Sequence, residues 1–183
     1  MSGQIRIIGG QWRRRKLPVP NVTGLRPTPD RVRETVFNWL TNDLPNSRCL
    51  DLFAGTGALG IEAASRGAKS VLLVEKKFPV YQQLIQQCTQ LAAEQIEVIC
   101  MDALQFLKGT APPFDIVFLD PPFGQNLLQP CCILLEQKQW LNTPAFIYLE
   151  AERTLKQPVL PATWQIIRQQ QAGQVVFSLA LRN

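Results

Sequence analysis

The strongest constraint on the fold of this 183-residue chain is a regular alternation of two kinds of segment between residues 48 and 150. Short apolar runs of strand length alternate with segments whose apolar residues recur at helical spacing. The predicted strands are residues 48–53, 70–75, 96–100, 114–120 and 145–150, and the predicted helices are residues 58–66, 78–91, 103–108 and 127–137. This order predicts an α/β protein with a parallel sheet and helices on both of its faces.

A further helix is predicted ahead of this region. Pro27 and Pro29 introduce a segment, residues 30–40, whose apolar residues fall on one helical face. Thr28 or Asp30 is available as its N-cap.

The two ends of the chain depart from the alternation. Near the start, residues 5–8 and 16–19 are candidates for a small hairpin. Near the end, residues 164–168 and 174–181 predict two strands joined by the turn QQQAG. The simplest arrangement of these two strands is an antiparallel hairpin.

The residue types available for chemistry are restricted. The sequence contains no histidine, which excludes histidine general bases, Ser-His-Asp triads and histidine-ligated metals. Its five cysteines are odd in number and form no Cys-x-x-Cys pair, so we expect no disulfide framework, no zinc site and no other metal. No apolar run approaches the ~20 residues of a membrane helix, and the first ten residues lack the apolar core of a signal peptide. We therefore expect a cytoplasmic protein without a membrane partner.

Positive charge is concentrated at the start of the chain. Residues 1–40 carry eight Lys and Arg against two acids, whereas residues 41–183 carry eleven against twelve. Such a segment predicts binding to a polyanion, and Trp12 beside the arginine run offers a face for stacking of an unpaired base. A solvated basic arm without a fixed partner is the alternative, because basic runs often serve only solubility.

The loop between the first strand of the alternating region and its helix, LDLFAGTGALG, has the spacing Gly-x-Gly-x-x-Gly at Gly55, Gly57 and Gly60. The same spacing occurs in nicotinamide and flavin proteins, so a dinucleotide site must be considered. Asp51 argues against it, because a carboxylate just before the loop repels a pyrophosphate. The same carboxylate suits a ligand with a positive charge, such as the ammonium group of S-adenosylmethionine.

Two further acids follow the next two predicted strands. Glu75 can accept hydrogen bonds from both ribose hydroxyls, in NAD and S-adenosylmethionine folds alike. Asp102 can face an adenine amino group beside the backbone of Ala103. Each acid taken alone can equally be a helix cap or a solvated strand end. Together they lie at carboxyl ends of parallel strands, where open α/β sheets bind their ligands.

The fourth strand of the alternating region runs directly into Asp120-Pro121-Pro122-Phe123. The prolines fix a rigid turn without amide hydrogens, which leaves the Pro121 carbonyl able to accept a hydrogen bond. With the Asp120 carboxylate it forms a pair of acceptors for an NH2 group, and Phe123 adds an apolar face for a flipped base. These features suit methylation of an exocyclic amine by positioning, without histidine or metal. A strand that ends in a Pro-Pro turn for structural reasons alone is the alternative.

Four stretches of the sequence resemble one family, the bacterial 16S ribosomal RNA guanine-N2 methyltransferases. They are IRIIGGQWRRRKLPVP, GLRPTPDRVRETVFNWL, LDLFAGTGALGIEAASRGA and IVFLDPPF, and the match extends over nearly the whole chain. The last two are shared by many amino-methyltransferases, whereas the first two are narrower and indicate the substrate. The resemblance implies the Rossmann-like S-adenosylmethionine-dependent methyltransferase fold, with seven mostly parallel strands and a C-terminal antiparallel hairpin. It also implies methyl transfer from S-adenosylmethionine, with S-adenosylhomocysteine as product, to N2 of one guanine of 16S rRNA in the small ribosomal subunit.

The resemblance also implies roles for individual residues. Those expected to contact the methyl donor are Asp51, Phe53, Ala54, Gly55, Thr56, Gly57, Glu75, Lys76, Asp102, Ala103 and Asp120. Those expected to hold the base and act in catalysis are Asp120, Pro121, Pro122 and Phe123. Those expected to bind the RNA substrate are Arg6, Trp12, Arg13, Arg15, Lys16, Arg26, Thr28, Arg31, Arg33 and Phe123. The helix over residues 30–40 is expected to cover the donor, so that Thr28, Arg31 or Glu34 faces it.

The resulting prediction is a monomer with a basic RNA-contacting extension, residues 1–28, and a methyltransferase domain, residues 29–183. Several other functions stay open. DPPF loops also serve N6-adenine methylation of DNA or RNA, and a related loop, usually with asparagine in place of Asp120, methylates glutamine amides of proteins. An RNA-binding assembly factor without turnover is a possibility from another class. A nicotinamide oxidoreductase is the weakest alternative.

Overall fold

One seven-stranded sheet organises the computed structural model, which describes residues 3–19, 28–153 and 159–183. Two short strands precede the sheet, β1 (Gln4–Arg6) and β2 (Lys16–Pro18). The strands of the sheet are β3 (Arg48–Asp51), β4 (Ser70–Glu75), β5 (Ile96–Cys100), β6 (Phe114–Leu119), β7 (Leu141–Glu152), β8 (Trp164–Ala172) and β9 (Val175–Arg182). Their spatial order is β5-β4-β3-β6-β7-β9-β8. The strands β3 to β7 are parallel, and β9 is antiparallel to both β7 and β8. The predicted mostly parallel sheet with a C-terminal antiparallel hairpin is confirmed.

Helices cover both faces of this sheet. They are α1 (Asp30–Trp39), α2 (Ala58–Ser65), α3 (Phe78–Leu91), α4 (Ala103–Leu107) and α5 (Leu128–Gln137). Successive strand residues point to opposite faces, so a buried hydrophobic cluster lies on each side. Cys49 belongs to the cluster that includes α1, α2 and α3, whereas its neighbour Leu50 belongs to the cluster that includes α4 and α5. Among the described residues, no helix is both long and apolar enough to cross a membrane.

The strand order reverses between β3 and β6. From β3 the chain moves outward through β4 and β5, and it then returns to the other side of β3 with β6 and β7. At such a reversal the connecting loops diverge and leave a crevice beyond the carboxyl ends of the strands. Asp51 is the last residue of β3, and Asp120 directly follows β6. The fold therefore brings the glycine loop and the DPPF segment to the same crevice.

The described part of the basic extension, residues 3–19, packs against the sheet domain. β1 and β2 pair antiparallel over three residues each, which confirms the predicted hairpin. Gly10 allows a close approach to α2, since its φ is 74° and a Cβ added to it would lie 1.8 Å from the main-chain oxygen of Ser65. Several apolar side chains of the extension are buried in the same cluster as α1, α2 and α3, namely Ile5, Ile7, Trp12, Leu17 and Val19.

Two strands are longer than predicted. β7 begins at Leu141 and ends at Glu152, and β8 continues to Ala172. Pairing in the last hairpin persists to Ala172 opposite Val175, so the turn includes Gly173, whose φ is 61°. The glutamines of QQQAG resemble turn residues because they are polar. However, β8 is an edge strand with mostly exposed side chains, where polar residues are compatible with regular pairing.

Candidate active site

One side of the crevice is formed by the loop that joins β3 to α2. The Oδ2 atom of Asp51 accepts a hydrogen bond from the N–H of Gly60 at 3.0 Å. Gly57 is the N-cap of α2 in the left-handed conformation, with a φ of 77°. A Cβ added to Gly60 would lie 2.2 Å from Cδ2 of Leu73 in β4. The helix therefore begins directly against the sheet, which requires glycine at both positions.

Burial dominates the electrostatics of Asp51. Loss of contact with water raises the pKa of its carboxyl from 3.8 to about 7. Hydrogen bonds from the N–H groups of Gly60 and Phe53 oppose this rise, and the nearby carboxylate of Glu75 adds to it. A cation bound beside Asp51 would favour the ionised carboxylate, because opposite charges lower the pKa of an acid.

The side chain of Glu75 connects the end of β4 to the glycine loop. Its Oε2 accepts a hydrogen bond from the N–H of Gly55 at 3.0 Å, and its Oε1 accepts one from the N–H of Lys77 at 2.7 Å. Each carboxylate oxygen has a second lone pair, so these bonds leave acceptor capacity. The geometry is compatible with the predicted contact to ribose hydroxyls, which stays a prediction.

Asp102 is the N-cap of α4. Its Oδ1 accepts hydrogen bonds from the N–H groups of Leu104 and Gln105, and its Oδ2 lies 3.1 Å from Nζ of Lys76. Although desolvation acts in the opposite direction, Lys76 and these N–H groups hold the pKa of Asp102 below its usual value. The helix-cap role considered for this acid is thus present, and its contact with an adenine amino group stays a prediction.

The other residues expected to contact the donor differ in exposure. Buried ones are Ala54, Thr56 and Ala103, while Phe53 is half-buried and Lys76 is exposed. The N–H of Ala54 donates to the carbonyl of Val74 at 2.9 Å, which holds the glycine loop against β4. All five follow the carboxyl ends of β3, β4 or β5, at the same edge of the sheet as Asp51. Their contacts with a donor stay predictions.

On the other side of the crevice, Asp120 follows the end of β6. Its Oδ2 accepts a hydrogen bond from Oγ1 of Thr28 at 3.2 Å. Burial raises the pKa of Asp120 well above its usual value, and the carboxylates of Glu150 and Asp51 raise it further, whereas the Thr28 hydrogen bond opposes the rise. A carboxylate with a raised pKa is a stronger proton acceptor than an ordinary one.

A pocket of about 320 Å³ opens beside the DPPF segment. Its lining includes Pro121, Pro122, Phe123, Glu150 and Glu152. Phe123 is 47 % exposed, so its ring is available for stacking. The N–H of Gly124 donates to Oε1 of Glu152 at 2.7 Å, which ties the loop to β7. The volume is in the range of small-molecule sites, and the combination of ring and carboxylate suits a flat group with hydrogen-bond donors.

Glu150 was not singled out from the sequence. It is 6 % exposed in β7, and its Oε2 accepts a hydrogen bond from the Tyr148 hydroxyl at 2.7 Å. The signal available was its position, because the predicted strand AFIYLE ends in an acid, as the strand SVLLVE does at Glu75. The same rule of carboxyl ends that selected Asp51 and Glu75 therefore applied to it.

Most basic residues expected to bind RNA have exposed side chains in the described ranges. These are Arg6, Arg13, Arg15, Lys16 and Arg31. Nη1 of Arg15 donates to the carbonyl of Gln90 at 3.4 Å, so the arginine run lies near the end of α3. Arg26 lies outside the described residues. Glu34 of α1 is exposed, whereas Thr28 is buried at the hydrogen bond with Asp120.

Besides Thr28, two of the residues expected to contact RNA are buried, and the structure corrects those two predictions. Trp12 is 6 % exposed within a hydrophobic cluster, so its ring offers no face to a base. Arg33 is 1 % exposed, and its Nη2 donates to Asp30 Oδ1 at 2.6 Å and to the Arg6 carbonyl at 2.8 Å. Its Nη1 lies 3.4 Å from Oε2 of Glu62. Both side chains instead hold the extension on the domain.

Known proteins resemble this chain over nearly its whole length. A family model described as conserved hypothetical protein 95 matches residues 5–181. A protein of Escherichia coli strain K12 named ribosomal RNA small subunit methyltransferase D is 51 % identical over 181 residues, which are 99 % of this chain and 91 % of that protein. The protein of the same name from Haemophilus influenzae is 47 % identical over 182 residues, with 97 % and 94 % covered.

A solved structure has the same fold over nearly the whole chain. The protein described as putative methyltransferase yhhF from Escherichia coli superposes with a TM-score of 0.92 at 48 % identity, and the match covers 98 % of both chains.

Proposed function

This chain belongs to the conserved hypothetical protein 95 family, as a relative of ribosomal RNA small subunit methyltransferase D, and from that premise we propose that it methylates 16S rRNA with S-adenosylmethionine as donor. The finer part of the proposal is the target, the exocyclic N2 of one guanine in the small ribosomal subunit. We further propose that the enzyme acts as a monomer in the cytoplasm, where ribosomal subunits are found.

The observation that carries the proposal is the position of Asp120. Its carboxylate and the rigid turn of Pro121 and Pro122 stand across the strand reversal from the glycine loop. Phe123 and the pocket beside the turn provide an apolar face for a base. An amine held at Asp120 and a donor held at the glycine loop would therefore meet in one crevice.

In the proposed reaction the protein acts mainly by positioning. Asp120 and the Pro121 carbonyl accept the two N–H bonds of the amine and orient its nitrogen, and Phe123 stacks on the base. When bound, S-adenosylmethionine supplies a methyl group on a sulfonium, whose carbon–sulfur bond breaks with its electron pair left on sulfur. The nitrogen forms the new bond to the methyl carbon and loses one proton. Asp120 accepts that proton, since burial and Glu150 raise its pKa.

The donor site is proposed at the glycine loop and the adjoining strand ends. No Lys or Arg occurs between residues 50 and 60, and the carboxylates of Asp51 and Glu75 flank the loop. This donor set fits an ammonium group and ribose hydroxyls, and it repels a pyrophosphate. The proposed donor contacts are Asp51, Phe53, Ala54, Gly55, Thr56, Gly57, Glu75, Lys76, Asp102, Ala103 and Asp120.

A pH dependence of donor binding follows from Asp51. The raised pKa keeps this carboxyl largely protonated below about pH 7. A ligand ammonium prefers the ionised form, so binding of S-adenosylhomocysteine must release one proton below that pH. We expect its affinity to rise about tenfold per pH unit as the pH approaches about 7 and to level off above it. Calorimetric titrations between pH 5.5 and 7.5 measure this slope.

The matched control is a ligand without the ammonium group. 5′-Methylthioadenosine keeps the adenine and ribose and lacks the amino-acid end, so its affinity should change little over the same interval. Asp51→Asn should weaken the binding of S-adenosylhomocysteine and remove most of the pH dependence of its affinity. Equal slopes for the two ligands would contradict the assignment of Asp51 to the ammonium.

The RNA contacts are proposed on the exposed basic side chains. They lie in a segment that holds the whole positive excess of the chain, and phosphate contacts of Lys and Arg dominate affinity for nucleic acids. The proposed division is an RNA-contacting extension over residues 1–28 and a methyltransferase domain over residues 29–183. The proposed contacts are Arg6, Arg13, Arg15, Lys16, Arg26 and Arg31.

Methyl transfer to ribosomal subunits tests the function directly. Purified protein is incubated with labelled S-adenosylmethionine and small subunits from cells that lack this modification, and the nucleosides of the product RNA are identified. N2-methylguanosine at one site supports the donor, the reaction and the base. N6-methyladenosine as the product would show that the target is adenine, the alternative, and not guanine. Subunits that stay unlabelled, while DNA or a protein is labelled, would overturn the substrate.

A further inference from the structure

Glu150 is the carboxylate nearest in register to Asp120. Leu119, the last residue of β6, lies opposite Leu149 of the neighbouring strand β7. Asp120 and Glu150 each follow directly after these two paired residues. The two side chains interact strongly enough for Glu150 to raise the pKa of Asp120. Glu150 also lines the pocket beside the DPPF segment, together with Pro121 and Phe123. A base that stacks on Phe123 with its amine at Asp120 would thus have Glu150 at the end of the neighbouring strand.

The orientation of this carboxylate is set from inside the protein. The hydroxyl of Tyr148 donates to Oε2 of Glu150 at 2.7 Å, and Tyr148 is fully buried. Burial, with the charges of Glu150 and Asp120, raises the pKa of Tyr148 well above its usual value, so the hydroxyl stays protonated as a donor. An oriented carboxylate at a pocket wall is a hydrogen-bond acceptor with little freedom to turn away.

Two adjacent acceptors select among the bases by their Watson–Crick edges. Guanine presents N1–H beside its N2 amine, so both neighbouring groups are donors. Adenine and cytosine present a ring nitrogen acceptor beside their amines, and that lone pair would face a carboxylate unfavourably. We propose that Glu150 reads the target base by accepting the N1–H of guanine while Asp120 holds the N2 amine. This inference rests on the proposed function, and it identifies the residue that makes the site specific for guanine.

The test pairs a variant with a base analogue. 2-Aminopurine keeps the 2-amino group of guanine but lacks both N1–H and O6. It therefore removes the group that Glu150 is proposed to read, and the comparison of the wild-type protein with Glu150→Gln separates that loss from the loss of O6. Small subunits are reconstituted with 16S rRNA that carries guanine or 2-aminopurine at the target position. Methyl transfer to both is measured as kcat/KM for the wild-type protein and for Glu150→Gln. Glu97→Gln, an exposed acid of β5, controls for the loss of a carboxylate.

The proposal gives a specific pattern of losses. For the wild-type protein and Glu97→Gln, 2-aminopurine should lower kcat/KM by about 100-fold or more, the scale of a lost oriented polar contact. With guanine at the target position, kcat/KM of Glu150→Gln should be lower than the wild-type value by a similar factor. Replacement of guanine by 2-aminopurine should then lower kcat/KM of this variant by less than about tenfold more. Binding of S-adenosylhomocysteine to Glu150→Gln should match the wild-type value. If Glu150→Gln fails to fold, Tyr148→Phe is the second variant. It keeps the charge of Glu150 and removes the hydrogen bond that orients Oε2 of Glu150. It should lower the ratio of kcat/KM on guanine to kcat/KM on 2-aminopurine several-fold.

Other results separate the two hypotheses. Suppose that the wild-type protein forms N2-methylguanosine, and that 2-aminopurine lowers kcat/KM by the same factor in Glu150→Gln as in the wild-type protein. Glu150 then has only a structural role, and this inference is overturned while the proposed function stands. An unchanged ratio in Tyr148→Phe has the same meaning where that variant is used. If the wild-type protein forms no N2-methylguanosine, the proposed function and this inference are both overturned.

Discussion

Replacement of Asp120 by alanine is expected to lower the turnover of methyl transfer by at least ~100-fold, the scale of losing an oriented polar group in an active site. The variant loses an acceptor for the amine and the group proposed to take up its proton. The fold should survive, because Asp120 lies beyond the end of β6 and its one side-chain partner is the hydroxyl of Thr28 among the contacts described. Removal of a buried acid with a raised pKa should also not destabilise the protein at neutral pH.

Single-turnover methyl transfer to unmodified small subunits measures the effect, with binding of S-adenosylhomocysteine and the melting temperature as checks. Asp120→Asn is the matched control, because the amide keeps a hydrogen-bond acceptor and cannot take up the proton. An intermediate loss in Asp120→Asn would separate the two roles. Full activity of Asp120→Ala would contradict the amine-holding function.

Replacement of Glu62 by alanine is expected to lower the free energy of unfolding by about 3–5 kcal/mol, the usual cost of removing one partner of a buried ion pair. Glu62 is buried in α2, where its carboxylate accepts hydrogen bonds from the N–H groups of Ile8 and Gly9 at 2.8 and 2.7 Å. It also pairs with Arg66 at 2.7 Å and with the buried Arg33 at 3.4 Å. Without Glu62, the N–H groups of Ile8 and Gly9 lose their acceptor, and the buried guanidinium of Arg33 loses one of its three acceptors.

Urea unfolding of the purified protein measures this loss. Asp30→Ala is the matched control, because Asp30 also pairs with Arg33 but is about half exposed, and such pairs contribute only about 0–1 kcal/mol. Protease cleavage near residues 8–15 should increase in Glu62→Ala well before the sheet domain is cut. A loss in Glu62→Ala no greater than in Asp30→Ala would show that the extension is held by its apolar contacts alone.

The sequence predicted the parts of the fold that depend on local pattern. The alternation of strands and helices predicted the sheet and its layers. The rule that ligands bind at carboxyl ends of strands selected Asp51, Glu75 and Asp102, and the DPPF segment selected Asp120. The sheet and its layers are confirmed, because they depend on residues close together along the chain, whereas the roles of these acids stay predictions. The helix-cap geometry of Asp102 was recognised only as an alternative, since capping and ligand binding require the same residue type at the same place.

What the sequence could not predict depends on distant contacts. Trp12 is expected at the surface because it lies beside the arginine run, and Arg33 because the family resemblance implies contact with RNA. Arg33 pairs with Glu62, which lies 29 residues further along in a helix that otherwise consists of small and apolar residues, and the N–H of Trp12 donates to Oγ of Ser65 in the same helix. A single acid in such a helix is a signal for a buried partner, but the identity of the partner is not local information.

The docking of the extension has a consequence for synthesis of the protein. Residues 3–19 leave the ribosome before their partners Glu62, Ser65, Gln87 and Gln90 have been translated. These contacts join residues 53 to 75 positions apart, which at about 5–20 residues per second take on the order of 3–15 s to be translated. During that interval a strongly cationic, unfolded segment emerges from a particle made largely of RNA. The nascent chain is therefore close to ribosomal RNA, the proposed substrate, before it has folded into a structure that can recognise it.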